Sequence, residues 1–390
     1  MINLGVLFGS RAAEHDVSIV SGLQILENAD KSKYNAFPVY ISRSGEWFIG
    51  ERLRDIKTYR NFDPEKKGLT RVFLPPVPGA NGLYKASGGL FSKSGKVCGL
   101  DCAILAMHGM HGEDGTLQGL FELADIPYSS CGVTGSALGM DKIVMKGLFR
   151  SMGLPVLSSK YFLRSEWRND PEKVLDEASK LGFPLFIKPA NLGSSIGIAK
   201  ASDMESLRRG LDVAAGFDRR ILVEKGIDKP VEINCACLGY DRDVMVSLCE
   251  QPSSWEEFLT FEDKYTRGEG SKGMKSLSRM IPAPISDELT KRIQDMTCEI
   301  FRFFECKGVV RIDYLMDKAS GDVYVNEINT IPGSFAFYLY EPMGLKFRQL
   351  IDKLVEFAYK ALDEKRESGF AFESEILSKA MLGVKPNKLK

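Results

Sequence analysis

The segment that most restricts how this chain can fold is Arg311–Asn329, RIDYLMDKASGDVYVNEIN. Two runs rich in β-branched and aromatic residues flank Ser-Gly-Asp, so the segment reads as a hairpin with its turn at Lys318–Asp322. Strand side chains alternate between faces. That places Arg311, Asp313 and Leu315 on one face, and Val325, Glu327 and Asn329 together on one face of the partner. Folding about Ser320 sets Asp313 opposite Glu327 and Arg311 opposite Asn329. Two carboxylates, an amide oxygen and a guanidinium then converge. A donor set made only of oxygens suits Mg²⁺, which is held by one or two carboxylates together with substrate phosphates. The ordinary alternative is a solvated sheet face with a cross-strand ion pair. Against it, Val309, Val310, Ile312, Tyr314, Val325 and Ile328 mark both strands as buried, and buried acids need a partner or a metal.

A chain of 390 residues has room for two or three domains and a large core. Its 52 basic and 52 acidic residues balance, which removes the electrostatic case for nucleic acid or an anionic membrane as partner. Eight cysteines without a CxxC pair read as reduced, buried thiols of a cytosolic protein. Three histidines are too few for a zinc site built on imidazole. The opening MINLGVLF reads as a strand with no basic region before it, and no apolar run reaches the ~18 residues of a membrane span. The expectation is a soluble, cytoplasmic α/β protein.

Residues 2–8 form a strand, Val17–Asn28 a helix and Tyr34–Ile41 a second strand, a βαβ opening with ligand groups at the strand carboxyl ends. Glu14 lies in the first strand-to-helix loop. Residues 42–99 read as an insertion of hairpins and loops within an N-terminal unit, 1–130. Thr134–Met152 reads as one long helix carrying Lys142. Asp170-Pro171 opens a further helix, and Ser202 with Glu205 fits a capping box. Strands are expected at 185–189, 195–200 and 221–225, giving a central unit at 131–224. A third unit, 225–362, holds strands at 231–239 and 243–249, a helix from Ser286 to Phe304, the hairpin and an amphipathic helix, Gly344–Leu362. A tail occupies 363–390.

A second stretch bears on chemistry: Phe186–Ile198, FIKPANLGSSIGI. Small residues at Gly193, Ser194 and Ser195 let backbone N–H groups approach a phosphate, and Lys188 on the preceding strand adds a point charge. The motif is neither a Walker loop nor GxGxxG, and by itself it equals an ordinary glycine loop. Phosphate binding together with Mg²⁺ indicates a nucleoside triphosphate. The strand ILVEK ends in Glu224 and Lys225, followed by Glu232, an edge where an adenine can be read. HGMHGEDG, from His108, reads as a glycine-rich substrate loop. Residues 251–280, with Lys264, Tyr265 and Arg267, have the composition of a lid.

These pieces together resemble the D-alanine–D-alanine ligases. LFGSRAAEHDVSIVSG, HGMHGEDGTLQGLFELADIPY, SALGMDK, PLFIKPANLGSSIGIAK, VEK, KY, VRIDYLMD and VNEINTIPG stand in that family's order over about residues 1–360. The resemblance implies an α/β, three-domain ATP-grasp fold and a cell-wall ligase that consumes ATP with two Mg²⁺, or Mn²⁺. It implies a homodimer, with Asp313, Glu327 and Asn329 as metal ligands. Lys142, Lys188 and the Gly193–Ser195 loop would contact ATP, Glu224 and Lys225 the adenine, and Glu232 the ribose. Glu14, Ser194 and Tyr265 would form a hydrogen-bonded trio at the first D-alanine, with His108 near the substrates and Lys264 in the lid. Arg311 would stabilise the acyl phosphate and the tetrahedral intermediate.

The sequence departs from that family's pattern in three places. Ser10 stands where a second glycine is usual. After NTIPG, the usual Thr-Ser-His-Ser is replaced by SFAFYLYEP, which puts Phe337 at the histidine position and Tyr338 at the serine that holds the second substrate's carboxylate. The acceptor expectation therefore spans D-alanine, D-serine, a hydroxy acid or a larger group, with Lys264-Tyr265 favouring an amino acid. The tail is also longer than usual.

Overall fold

The computed structural model describes residues 1–86, 95–193, 196–252, 279–369 and 376–377. Ser194, Ser195, Lys264, Tyr265, Arg267, almost all of the expected lid and most of the expected tail lie outside them.

The chain opens with β1 (Ile2–Gly9), α1 (His15–Asn28) and β2 (Tyr34–Ile41), and β1 runs parallel to β2. Residues 42–99 do not form a separate body. They supply β3 (Trp47–Ile49), α2 (Lys57–Arg60), β4 (Thr70–Phe73), β5 (Gly82–Lys85) and β6 (Lys96–Gly99), which extend the same sheet by antiparallel pairing. β7 (Cys102–Leu105) pairs parallel to β1 on its other side, giving the order β6-β5-β4-β3-β2-β1-β7, and α3 (Thr116–Ala124) follows.

The expected long helix is two helices, α4 (Val133–Met140) and α5 (Lys142–Ser151). Asp141 breaks them: its backbone is extended (ψ 102°), and its carboxylate accepts from the N–H groups of Ile143 and Val144. Helical periodicity runs through the break because both helices present apolar residues to one core. The second sheet follows, from β8 (Ser159–Leu163), α6 (Arg164–Asn169), α7 (Pro171–Ser179), β9 (Leu185–Pro189), β10 (Ala199–Ala201), α8 (Met204–Phe217) and β11 (Arg220–Lys225). Its order is β10-β9-β11-β8, antiparallel throughout. Asp170 caps α7 from the position before Pro171, as the sequence indicates. The cap of α8 differs: Asp203 pairs with Ser206, one residue beyond the expected Ser202 and Glu205. A carboxylate at that position accepts from the third N–H of the helix as well as a hydroxyl does.

The third sheet is built from β12 (Val231–Tyr240), β13 (Asp243–Pro252), β14 (Arg279–Met280), β15 (Lys307–Met316) and β16 (Val323–Asn329), in the order β14-β13-β12-β15-β16. α9 (Asp287–Phe303) covers one face, capped by Ser286. Its core includes Ile293, Ile300, Ile312, Tyr314, Val325 and also Met145 and Phe149 of α5. The last helix, α10 (Phe347–Glu367), packs into the first sheet's core with residues 335–340. All eight cysteines are free thiols. No described helix is long and apolar enough to cross a membrane.

Candidate active site

The β15–β16 hairpin pairs Arg311 with Asn329, Ile312 with Ile328 and Asp313 with Glu327, the register expected from the turn. Beyond Asp313 the register slips by one, because Asn326 forms a bulge. This corrects one expectation. Val325 does not share a face with Glu327; it pairs with Tyr314 in the hydrophobic core. An extra residue in one strand inverts the alternation after it, and periodicity alone does not register the insertion.

On the polar face, Arg311 grips Asp313 with both arms of its guanidinium, Nε to Oδ1 at 2.6 Å and Nη2 to Oδ2 at 2.8 Å. Asn329 donates its amide to Asp313 Oδ2 at 2.9 Å. On β12, Asn234 pairs with Asp313 and Glu232 with Leu315, so Glu232 shares this face. The four residues read from the hairpin do converge.

Above them stand three lysines. Lys142 opens α5 and donates to the Leu192 carbonyl at 2.6 Å, with its ammonium 3.7 Å from Glu327. Lys188, on β9, donates to Glu224 at 2.8 Å and to the Asn326 side chain at 3.3 Å. Lys146, one turn after Lys142, ion-pairs with the other oxygen of Glu224 and donates to the Asn326 carbonyl at 3.1 Å. Burial works against a charge on Glu224, but Lys146 and Lys188 outweigh it and hold its carboxyl below the usual range. Burial wins at Lys146, whose pKa is lowered. At Lys188 the carboxylates of Glu224 and Glu327 prevail over burial and raise it.

The side chain of Lys225 donates its ammonium to the carbonyls of Gly182 and Phe183, at 2.9 and 2.8 Å. It closes that turn, which leaves the expected reading of an adenine to the backbone of the strand end. Glu224, for its part, is engaged by the two lysines.

Glu14 reaches across from the first unit. A Cβ on Gly109 would come within 2.2 Å of its Oε2, and one on Gly193 within 2.8 Å. At Gly109 the left-handed backbone (φ 71°) itself favours glycine, while at Gly193 the small residue lets the carboxylate end of Glu14 lie close to the backbone. Ser10 carries a left-handed backbone (φ 98°), the conformation that favours the glycine it replaces, while its carbonyl accepts from His15 Nδ1 at 2.6 Å.

His108 is not an open substrate contact. It is buried, with Nδ1 2.9 Å from the Ile331 carbonyl and Nε2 2.8 Å from Ser21 Oγ. Burial pushes its pKa down to about 4. The neutral ring therefore donates from Nδ1 and accepts the Ser21 hydroxyl at Nε2. It ties the first unit to the loop after β16.

Tyr338 also differs from expectation. Ser334, Phe335 and Ala336 all adopt left-handed φ, at 51°, 54° and 46°, although none is glycine. Such backbone is costly and persists where packing enforces it. After this turn Tyr338 is buried, and its hydroxyl donates to Glu250 at 3.0 Å. Arg279 lies 3.8 Å over its ring and 3.3 Å from the other Glu250 oxygen, and Asn234 donates to Glu250 at 3.2 Å. The single phenolic proton is already committed. Phe337 stacks on Phe347 at 4.4 Å, within the core.

Lys146, Asn326, Glu113, Glu250 and Arg279 escape sequence reasoning. Only Lys146 carried a signal, four residues after Lys142 on one helix face. Glu113 accepts from the N–H groups of Gly109 and Ile331, at 2.8 and 2.7 Å. Burial, reinforced by the charge of Glu14, lifts its pKa to about 8. An acid raised in the folded state contributes stability below its unfolded value near 4.5, and that contribution drains away as pH rises through about 8. Glu113→Gln should flatten the decline in stability over that window, by a few kcal/mol at roughly 1.4 per pH unit. Urea melts from pH 5 to about 9 measure it.

Comparison with known proteins adds to this geometry. Residues 3–131 match the family signature described as D-ala D-ala ligase N-terminus, and residues 148–356 match its C-terminus. A D-alanine–D-alanine ligase of Thermosipho melanesiensis is 38% identical over 368 residues, covering 94% of this chain and 96% of that protein. One from Heliobacterium modesticaldum is 37% identical over 374 residues, with 94% and 96% covered. Among solved structures, the VanG D-Ala:D-Ser ligase of Enterococcus faecalis is 31% identical with a TM-score of 0.76, covering 92% of this chain and 99% of that one. The D-alanine–D-alanine ligase of Coxiella burnetii is 26% identical with a TM-score of 0.75, covering 94% and 98%. With the three-sheet ATP-grasp architecture and the matched hairpin, this chain belongs to the D-alanine–D-alanine ligase family of enzymes.

Proposed function

We propose that the protein couples ATP cleavage to joining two D-alanines, through an acyl phosphate on the first. The observation that carries this reading is the Arg311–Asp313–Glu327–Asn329 face lying beneath Lys142, Lys146 and Lys188. A carboxylate acylates poorly until a phosphoryl group makes it a leaving group, and each step builds negative charge on oxygen. Lys142 and Lys188 would bind the transferring phosphate, with Lys146 buried behind them on Glu224. Arg311 would hold its guanidinium at the developing oxyanion, fixed by Asp313, so little reorganisation is needed as charge grows. Glu14 would orient the ammonium of the first D-alanine from across Gly109 and Gly193. Ser194, Ser195, Lys264 and Tyr265 keep the roles the resemblance implies.

The donor set fits Mg²⁺ or Mn²⁺. Among the described residues no group of three or more His, Cys, Asp or Glu forms a closed metal site, so phosphate oxygens would complete the shell begun by Asp313, Glu327 and Asn329. Among the described residues Asp313 Oδ1 accepts from Arg311 alone, which leaves one lone pair for a metal. When bound, the metal would neutralise charge on the phosphates.

A second acceptor reading has a specific basis. Tyr338 spends its proton on Glu250 and leaves no hydroxyl donor for an acceptor carboxylate, and a D-Ala:D-Ser ligase is similar over nearly the full chain. Phosphate release with ATP, Mg²⁺ and D-amino acids taken in pairs decides between them. D-alanine alone should support release and yield the dipeptide. Faster release with D-alanine plus D-serine, with the mixed product, would replace the first reading. The homodimer implied by the resemblance is part of the proposal and is read by sedimentation.

A further inference from the structure

A second polar cleft lies apart from the reaction centre, between α3 and α10, with the first residue of β15 at its floor. Its volume is 240 Å³, and Phe121, Glu122, Tyr128, Lys307, Leu362 and Lys365 contribute to its lining. Lys307 is only 6% exposed. Its ammonium stands 4.0 Å over the centre of the Tyr128 ring. Among the described residues, no carboxylate lies within ion-pairing distance of it and no acceptor takes its protons. The nearby acids are engaged. Glu122 receives Lys365 at 2.7 Å and the Tyr128 hydroxyl at 2.8 Å, and Asp125 receives Arg366 at 2.9 Å.

The buried ammonium is poorly compensated: the Tyr128 ring is its one direct partner among the described residues, and the Glu122 carboxylate attracts it only from beyond ion-pairing distance. Burial pulls its pKa down to about 8, so at neutral pH it is still mostly charged. The cleft therefore presents one cation without a direct ion-pair partner among the described residues, beside the mutually engaged Glu122 and Lys365 and the apolar Phe121 and Leu362. We propose that it binds a short-chain carboxylate, with its oxygens on the Lys307 ammonium and its alkyl end against Phe121 and Leu362. The charge count favours this class: one uncompensated cation matches a monoanion, whereas a phosphate dianion would remain under-neutralised beside Glu122. The size agrees, since a water occupies about 30 Å³ of liquid and the cleft holds several times that. Bound there, the anion links α3 and Tyr128 of the first unit to β15, the strand that carries Arg311 and Asp313. The inference does not depend on the ligase reading.

Calorimetric titration of the full chain with sodium propionate, against sodium chloride at equal ionic strength, tests it. The parent protein should show a saturable, propionate-specific heat. Lys307→Met should weaken binding at least about tenfold, the scale of losing one charged hydrogen bond. Ala361→Phe, which fills the cleft from α10 and leaves the lysine in place, should remove binding while the melting temperature in chloride stays near the parent's. Identical heats from propionate and chloride in the parent would overturn the proposal. So would propionate binding by Lys307→Met or Ala361→Phe as tight as the parent's.

Discussion

Replacing Arg311 with alanine is expected to lower turnover about 10²–10³-fold and leave the affinity for a non-hydrolysable ATP analogue nearly unchanged. The guanidinium is held by two bonds to Asp313 on one strand, at 2.6 and 2.8 Å. It is therefore preorganised toward charge that exists only as the reaction proceeds. Alanine also frees Asp313, so the variant should be paired with Arg311→Lys. Lysine keeps the charge but loses the planar fork. Partial recovery of turnover by lysine would identify charge as the larger contribution. Steady-state kinetics beside equilibrium binding makes the separation, and equal loss in both would mark Arg311 as a structural residue.

Glu224→Leu should cost about 3–5 kcal/mol of stability, the scale of breaking a buried ion pair. The carboxylate lies between Lys146 and Lys188, and removing it leaves two buried ammoniums facing each other with no shared counter-charge. The pH dependence of the variant gives the signature. Its lysines would have folded pKa values below the ordinary 10.5, so stability should rise with pH from the depressed value up to the ordinary one. In the parent, Glu224 has a lowered pKa, and its stabilising contribution is lost on acidification through that value. Urea melts of both proteins at pH 7 and about 9 check this. Nucleotide affinity should fall as well, because Lys188 and Lys146 lose the anchor that aims them. A fully stable leucine variant would show that the two lysines do not need the shared carboxylate.

The hairpin shows where sequence reasoning works and where it stops. A turn signal plus strict alternation sets the pairing of Asp313 with Glu327 and of Arg311 with Asn329, and the structure keeps it. The same alternation misplaces Val325, because a bulge depends on what both strands pack against. Lys142 was legible, but the helix break that sets it at the start of α5 was hidden inside continuous apolar periodicity. Tyr338 was legible as a substitution in a motif. That its hydroxyl belongs to Glu250 was not, since β13 and the turn after β16 are 88 residues apart.

The amino-acid order alone determined the elements whose causes are local: the βαβ opening, the Asp170-Pro171 helix start, and the polar face of β15 and β16. These follow from caps, turns and side-chain period, which act within a few residues. Only the tertiary structure decided which charges meet. Lys146 and Lys188 share Glu224 because α5 packs against β9 and β11, the central strands of the second sheet, the Glu113 carboxyl is pushed up because two loops bury it beside Glu14, and Lys307 has no ion-pair partner among the described residues because Glu122 and Asp125 pair with α10. Burial and opposing charge set those states, and both are properties of the packed molecule.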